Sequence, residues 1–451
     1  MEQESDKFLQ RLLDELPAAA RPMVKGLYSR LSAEQKESAR SFLHQAETYL
    51  GLNETKQLLK LVRDQYMPAF AGPRRVCIVG PVNSGKSSLY NALLTSKADR
   101  AEVSPIPGTT KTAQEGAAGI LTAVDTPGAD DVEIGWEGEQ AGLRRRESAL
   151  QAAQDADFLL MVFDATTGIT RGVLNVYKDL VALNKPYLVA LNKIDLVKRD
   201  QEQLVAMAAR TLGLDVSQVI PISALRGTNL DRLVIALVRA NPELLASLGM
   251  VLPQFRAQMA AEYIRNAAGA AGTVNLITSP IPVPFTSFVP LTAIQAGLVL
   301  SLARLYGHRI TAARAKEILA TLGAGYGART LFQQLVTKVP GPGWIVGTAI
   351  AAATTVAIGY SAQLWFARGE KLSAEKMREF ASEAMERVVQ AMRALGKKRP
   401  SKQEVSAAID QALRAIVMRR ADNKWSHESS ENRESSKTES PESHKSLERE
   451  E

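Results

Sequence analysis

The segment GPVNSGKS at residues 80–87 constrains the fold of this 451-residue chain more than any other feature of its sequence. It matches the pattern G-x-x-x-x-G-K-[ST], follows the apolar run Val76–Val79, and precedes leucines at helical spacing. Glycines in such a loop let backbone N–H groups converge on phosphate oxygens, and the helix that follows adds partial positive charge. The sequence therefore predicts a strand, a phosphate-binding loop and a helix, in that order.

Side chains in this loop and after the next apolar run have distinct expected roles. The Lys86 ammonium is expected to reach the β- and γ-phosphates of a nucleotide, and the Ser87 hydroxyl to bind Mg²⁺. Asp125 follows the run Ile120–Val124 and is a candidate to hold the same Mg²⁺ through water. Gly128 is a candidate to donate its N–H to the γ-phosphate. An isolated D-x-x-G is usually a surface turn, but about forty residues after such a loop it indicates a nucleotide site.

The tetrapeptide NKID at residues 192–195 indicates which base is bound. The Asp195 carboxylate is suited to accept two hydrogen bonds from guanine N–H groups, which adenine does not supply, and such a site rejects the wrong base strongly. Asn192 is expected to hold the base and a neighbouring loop, and Lys193 to stack along the ring. Residues 223–225, Ser-Ala-Leu, are expected to complete the pocket through backbone N–H groups. A loop capped by asparagine explains the tetrapeptide alone, but the whole set predicts guanine.

A switch segment is expected at residues 108–110, Gly-Thr-Thr, between the phosphate loop and Asp125. A threonine there can ligate Mg²⁺ only while the γ-phosphate is present, which makes the segment sensitive to the nucleotide state. Thr110 is preferred to Thr109 for this role.

Composition and patterning divide the chain into four segments. Residues 1–72 predict only helices and are interpreted as a docking segment. Residues 73–240 alternate apolar runs with helical patterns, which is typical of a mostly parallel sheet with helices on both faces. Residues 241–420 predict an all-α domain. Residues 421–451 are predicted to be a disordered charged tail, because they have too few apolar side chains to offset the entropy lost on ordering. The predicted fold class is therefore α/β, flanked by all-α regions.

In order and spacing, the motifs GPVNSGKS, PGTT, DTPG, NKID and SAL resemble the Era/TrmE-like branch of the translation-factor-related GTPases. The resemblance covers residues 73–240 and implies a P-loop GTPase that uses GTP, GDP and Mg²⁺. In that branch an asparagine in the fourth P-loop position often helps to bind K⁺, and Asn83 occupies that position. The family's usual proline directly before it is replaced by Val82, so potassium activation is a hypothesis.

Hydrolysis is expected to be slow without help. The residue after Gly128 is Ala129, where Ras-like enzymes have a water-orienting glutamine. A potassium ion, an activator or an acid in the following loop is therefore expected to assist. Glu137 and Glu139 are the candidate acids, although an exposed loop carboxylate is the simpler interpretation of each.

Three sets of residues follow from these patterns. The candidate nucleotide-binding residues are Gly80, Asn83, Ser84, Gly85, Lys86, Ser87, Ser88, Asn192, Lys193, Asp195, Ser223, Ala224 and Leu225. The candidate catalytic residues are Lys86, Thr110, Gly128, Glu137 and Glu139. The candidate metal ligands are Ser87, Thr110 and Asp125 for Mg²⁺, with Asn83 for K⁺.

The helical half lacks charge over two long stretches. No charged residue lies between positions 265 and 304, or between positions 338 and 368. Prolines divide the first stretch into pieces too short to span a bilayer, which predicts either a re-entrant hairpin or two buried helices. Trp344 and Trp365 bracket the second, which has the length of a spanning helix with aromatic anchors, although a core helix explains it almost as well. Membrane contact through residues 265–368 is the favoured expectation.

The charge of the chain suits an anionic partner. The net charge is +7 although residues 421–451 are acidic, so the basic surplus lies in residues 1–420, where a nucleotide, an acidic lipid surface or RNA would be attracted. The single cysteine, Cys77, excludes an intrachain disulfide and indicates a reducing compartment.

A second resemblance concerns residues 250–375. They resemble the helical domain that follows Era-like GTPase domains in many bacterial proteins and recurs in YcjF-type inner-membrane proteins, which implies membrane association. The expected location is the cytoplasmic side of a membrane, with the cytoplasm as the alternative. RNA or a ribosome is the less favoured partner, since a basic G-x-x-G loop of the KH type is missing from the sequence. A nucleotide-dependent dimer is a further expectation.

Overall fold

The computed structural model describes residues 48–94, 114–116, 119–125, 147, 149–279, 288–310, 343–370, 372–396 and 400–422, together with positions 14, 18, 21, 22, 25 and 37. Most of the predicted helical segment before residue 48, and the charged tail beyond Asp422, lie outside these residues.

The five predicted apolar runs are strands, and helices lie before, between and after them. The strands are β1 (Val76–Gly80), β2 (Gln114–Gly116), β3 (Leu121–Asp125), β4 (Phe158–Asp164), β5 (Tyr187–Asn192) and β6 (Val219–Pro221). The helices are α1 (Leu52–Phe70), α2 (Lys86–Leu93), α3 (Arg171–Val181), α4 (Gln201–Leu212), α5 (Leu230–Ala240), α6 (Leu244–Val251), α7 (Arg256–Thr278), α8 (Phe288–Leu305), α9 (Gly343–Arg368), α10 (Ala374–Ala394) and α11 (Lys402–Asp422). The mostly parallel α/β fold with an all-α C-terminal region is confirmed.

The described strands form one sheet in the order β2-β3-β1-β4-β5-β6. Neighbouring strands are parallel except for the edge pair of β2 and β3. Each apolar run in the sequence is a strand, because parallel strands are buried on both faces. β2 was not expected, since Gln114–Gly116 is polar and short. The carboxyl ends of β1, β3, β4 and β5 meet at one edge of the sheet, where the predicted nucleotide motifs begin.

The two faces of the sheet are buried against different helices. Successive side chains of β1 alternate, so that Val76 and Ile78 pack on one face and Cys77 and Val79 on the other. Helices α2 and α5 cover the first face, while α3 and α4 cover the second. Burial raises the pKa of the Cys77 thiol to about 12, so this thiol stays protonated and serves as a core side chain.

Helix α9 lies at the centre of the helical half, against α7, α8 and α10. A Cβ at Gly359 of α9 would lie 2.8 Å from Ile264 of α7 and 3.0 Å from Leu298 of α8. Tyr360 contacts Phe380 of α10, with 4.9 Å between their ring centroids. The alanine and glycine content of α9 therefore follows from the close approach of three helices, which leaves no room for larger side chains.

The charge-free stretches are parts of buried helices where the structure describes them. The first stretch lies in α7 and α8, which are two buried helices, and the Pro-rich segment 280–287 between them lies outside the described residues. Among the described residues, α9 is the one helix long and apolar enough to cross a bilayer, and 83% of its apolar window is buried inside the protein. Length and composition fit a span and a core helix alike, so membrane contact stays a prediction.

Helix α1 of the N-terminal segment docks on the helical half. The carbonyl oxygen of Gln65 accepts hydrogen bonds from Tyr263 Oη of α7 and Ser301 Oγ of α8, each at 2.9 Å. A Cβ at Gly297 of α8 would lie 2.9 Å from Gln65 Cβ, so a glycine is needed where α1 and α8 cross. α1 therefore completes the helical bundle, although the whole sheet separates it from α8 in the sequence.

A buried ion-pair network joins α5 to the helical half. Glu262 of α7 is fully buried and pairs with Arg239, in the last turn of α5, at 2.9 Å and with Arg265. Arg265 is 2% exposed, and its guanidinium lies 3.1 Å from Asp410 of α11, which also pairs with Arg414. The hydrogen bond that Arg239 donates to Glu262 raises the pKa of the Arg239 guanidinium. The network thus links three helices through charges that depend on one another.

Candidate functional site

Strand β1 delivers the phosphate-binding loop to the carboxyl edge of the sheet. A Cβ at Gly80 would lie 2.1 Å from the carbonyl oxygen of Val162 in β4, so only glycine fits at this position, where the chain leaves β1. Gly85 directly precedes α2 with a φ of 89°, and a Cβ there would lie 2.3 Å from Asn192 Nδ2. Both glycines of the motif are therefore required by close approaches as well as by the loop's own course.

The Lys86 side chain lies inside the curve of this loop. Lys86 is the first residue of α2 and is 2% exposed. Its ammonium donates to the carbonyl oxygen of Pro81 and, at 3.2 Å, to Ser84 Oγ. Ser87 and Ser88 follow it in the first turn of α2. A positive charge and a helix N-terminus thus face the same concave loop, which is the arrangement that binds phosphate.

Asn192 connects the phosphate loop to the loop after β6. Its Nδ2 donates to the carbonyl oxygen of Ser84, and its Oδ1 accepts from the Ala224 N–H, both at 2.9 Å. Asn192 is buried at the end of β5, so the amide is held in place by both neighbours. The expectation that Asn192 holds a neighbouring loop is met by these two hydrogen bonds, and its contact with the base stays a prediction.

Two backbone N–H groups of residues 223–225 have hydrogen-bond partners within the protein. The Ser223 N–H donates to the carbonyl oxygen of Thr228 at 3.1 Å, and the Ala224 N–H donates to Asn192. The Ser223 N–H thus closes the loop and the Ala224 N–H joins it to β5, and their contact with a base stays a prediction. Leu225 is 82% exposed, and its contact with the base stays a prediction.

Lys193 and Asp195 both follow the end of β5. Lys193 has a left-handed backbone with a φ of 63°, and Asp195 lies in the single helical turn Ile194–Leu196 that follows. The Lys193 ammonium lies 2.5 Å from Asp164 Oδ2 at the end of β4. Sequence reasoning missed Asp164. Its signal was an apolar strand that ends in a carboxylate, the same signal that selected Asp125.

The predicted Mg²⁺ ligands lie partly outside the described residues. Asp125 ends β3 beside Gly80, because the two residues are partners in the ladder of β1 and β3. Its backbone is therefore at the same edge as Ser87, as a shared metal ion would need. Thr110, Gly128, Glu137 and Glu139 are outside the described residues, so their roles stay predictions.

Two family models match this part of the chain. The model described as 50S ribosome-binding GTPase matches residues 75–193, from the start of β1 to the lysine of the NKID motif. The model described as the Elongation factor Tu GTP binding domain matches residues 146–243. Both matches fall within or beside the segment that contains the sheet and the phosphate loop.

Relatives are similar over the same segment. GTPase Era of Aquifex aeolicus is 34% identical over 175 residues, which are 37% of this chain and 56% of that protein. GTPase Der of Symbiobacterium thermophilum is 36% identical over 173 residues, 38% of this chain and 35% of that protein. The tRNA modification GTPase MnmE of Thermotoga petrophila is 36% identical over 174 residues, 38% of this chain and 36% of that protein. The chain thus spans between a third and just over half of the length of these relatives.

Proposed function

We propose that residues 73–240 form an Era/TrmE-like P-loop GTPase domain. On this basis the chain binds guanine nucleotide and hydrolyses GTP to GDP and phosphate. The observation that carries the proposal is the junction at Asn192, which ties the phosphate loop to the loop expected beside the base. A single side chain thereby sets the distance between the part that binds phosphate and the part that binds guanine. The relatives named above are GTPases, which supports the same activity.

The residues of the loop act on the phosphates by position and charge. The backbone N–H groups of the phosphate loop after Pro81 and the Lys86 ammonium stabilise the charge that develops on the phosphoryl oxygens as water attacks. Ser87 and Asp125 suit a Mg²⁺ site, because Mg²⁺ prefers oxygen ligands and the backbones of both residues lie at the same edge of the sheet. When bound, Mg²⁺ would neutralise part of the phosphate charge. Potassium binding at Asn83, whose φ is 63°, stays a prediction.

Selection of guanine by Asp195 gives a direct test of the proposal. In Asp195→Asn, an amide replaces the carboxylate that would accept two guanine N–H groups, so we expect GTP affinity to fall by about 100-fold. ATP binding should change little, because Asp195 offers adenine no matching pair. Competition of GTP and ATP against a fluorescent GDP analogue measures both affinities.

Asp200→Asn is the matched control for this experiment. Asp200 is an exposed carboxylate five residues further along, at the N-cap of α4. The variant should keep the affinities for GTP and ATP within about twofold of the wild type. An unchanged preference for GTP over ATP in Asp195→Asn would contradict the guanine assignment.

The helical half is placed to respond to the nucleotide. Helix α5 follows the loop of residues 223–228 after its N-cap, Asn229, and carries Arg239 in its last turn, whose partner Glu262 is buried in α7. A shift of the loop at the base therefore has a continuous path to the bundle. This path supports the proposal that the chain is a nucleotide-dependent switch or assembly factor, as opposed to an enzyme that turns over a metabolite.

We propose the cytoplasmic side of a membrane as the place of action, with a soluble role in RNA or ribosome assembly as the second candidate. The length and apolar character of α9 support the first, whereas the burial of α9 in the bundle removes the need for a lipid environment. The description of the matching model, 50S ribosome-binding GTPase, supports the second. The likeness of residues 250–375 to the YcjF-type domain stays a prediction.

Fractionation of cells in high salt separates these two candidates. The membrane proposal predicts that the chain pellets with membranes after a high-salt wash, because contacts made by apolar surface are not screened by salt. Release into the soluble fraction, or sedimentation with ribosomes, would favour the second candidate. GTP and GDP should be compared in the same experiment, since a switch is expected to distribute differently in its two nucleotide states.

A further inference from the structure

We propose that Asp164 is a positioning residue of the nucleotide site, which fixes the Lys193 side chain beside the phosphate loop and thereby strengthens the hold on the base. The inference rests on the proposed function, because Lys193 is expected to stack on guanine. It adds a residue that no motif of the sequence contains. Asp164 acts through Lys193 and does not itself contact the nucleotide.

The orientation of the Asp164 carboxylate is fixed by contacts other than the one with Lys193. Asp164 is the last residue of β4 and is the ladder partner of Asn192 in β5, so its backbone is set by the sheet. Its Oδ1 accepts hydrogen bonds from the Thr166 backbone N–H at 2.8 Å and from Thr166 Oγ1 at 2.7 Å. The other oxygen, Oδ2, is then directed to Lys193. The side chain is only 13% exposed, which limits competition from water.

Lys193 needs such a partner because its own backbone and stem are constrained. The residue has a left-handed φ of 63°, and its Cε would lie 4.0 Å from a Cβ on Gly85. The stem therefore runs against the N-terminus of α2, between the phosphate loop and the base loop. A lysine stem is flexible when its ammonium is free, so an ion pair at its end holds the stem in one position.

A purely structural role for Asp164 uses different atoms. The turn after β4 is closed by the Asp164 carbonyl oxygen, which accepts from the Gly168 N–H at 3.2 Å, and by Oδ1, which holds Thr166. Oδ2 contributes nothing to that turn and contacts Lys193 instead. A variant that keeps Oδ1 and removes the charge on Oδ2 therefore separates the two roles.

Asp164→Asn is that variant, since its amide oxygen can still accept from Thr166. We expect the rate of dissociation of a fluorescent GDP analogue to rise about tenfold and KM for GTP to rise similarly, while kcat falls by less than about threefold. Lys193→Met should give the same loss. The double variant should lose no more than either single variant, because both remove one shared interaction.

Asp155→Asn serves as the matched control. Asp155 is an exposed carboxylate just before the amino end of β4, bound to Gln151 at 3.1 Å, and its loss should leave GDP dissociation unchanged. Additive losses in the double variant would overturn the inference, as would a lowered melting temperature of nucleotide-free Asp164→Asn with unaltered GDP affinity. If the wild-type chain itself binds no guanine nucleotide, the proposed function fails. If the wild type and Asp164→Asn bind GDP equally, only this inference fails.

Discussion

Replacing Lys86 with alanine is expected to lower the affinity for GTP by at least about 100-fold and the affinity for GDP by at least about tenfold. The Lys86 ammonium is the charge that the loop encloses, and it is expected to donate to both the β- and γ-phosphates. A hydrogen bond to a charged group contributes about 1.5–3 kcal/mol, so GTP loses two such bonds, whereas GDP, which has no γ-phosphate, loses one. Titration with a fluorescent GDP analogue measures the affinity, and a single-turnover assay measures hydrolysis.

Lys178→Ala is a suitable control for this experiment. Lys178 is an exposed lysine in the last turn of α3, so the variant removes the same charge from the chain at a distance from the phosphate loop. Its GTP affinity should stay within about twofold of the wild type. Retained affinity in Lys86→Ala would overturn the assignment of residues 80–87 as the phosphate-binding loop.

The second large effect concerns folding and is expected at Glu262. In Glu262→Ala, the nearly fully buried guanidinium of Arg265 loses its partner within α7, and Arg239 loses its contact across the junction. Breaking a buried ion pair by removing one partner costs about 3–5 kcal/mol, so the free energy of unfolding should fall by up to that amount, with Asp410 left as the remaining partner of Arg265. Urea unfolding followed by circular dichroism gives the midpoint and the slope from which it is calculated.

A second variant distinguishes the buried charge from a simple loss of packing. Adding Arg265→Met to Glu262→Ala removes the buried guanidinium that has lost Glu262. The double variant should recover part of the lost stability, because an apolar side chain of similar length suits the buried position. Glu386→Ala, at an exposed carboxylate on α10, should change stability by less than about 0.5 kcal/mol. Equal stability of Glu262→Ala and Glu386→Ala would contradict the role of the network.

The sheet and the phosphate loop could be predicted because their signals are local. A buried parallel strand reads as a continuous apolar run, and the five runs from Val76–Val79 to Val219–Ile222 each became a strand. The order of the motifs then placed their loops at one edge. The polar edge strand β2 carries no such signal, so nothing in residues 114–116 distinguished it from a loop.

The remaining features depend on contacts between distant residues. The pairing of Asp164 with Lys193 spans 29 residues, and neither residue shows in sequence that the other is its partner. Arg265 marked the start of a charge-free stretch and gave no sign that it is buried between Glu262 and Asp410. Absence of charge likewise indicated apolar surroundings for α9 without deciding between lipid and protein. The packing of α7, α8 and α10 around α9 is likewise a set of contacts between distant residues that the sequence does not display.

The docking of α1 on α8 has a consequence for synthesis on the ribosome. Ser301, whose hydroxyl binds the carbonyl oxygen of Gln65, follows it by 236 residues. At ~5–20 residues per second, roughly 10 to 50 s separate the emergence of these two partners. The strands that the structure describes precede Ile222 and can assemble during that interval, while the α1 face that carries Leu58 and Val62 is not yet covered by α8. The chain therefore matures with its α/β domain first and its helical bundle last, and a nascent chain that ends before α8 carries an exposed apolar helix.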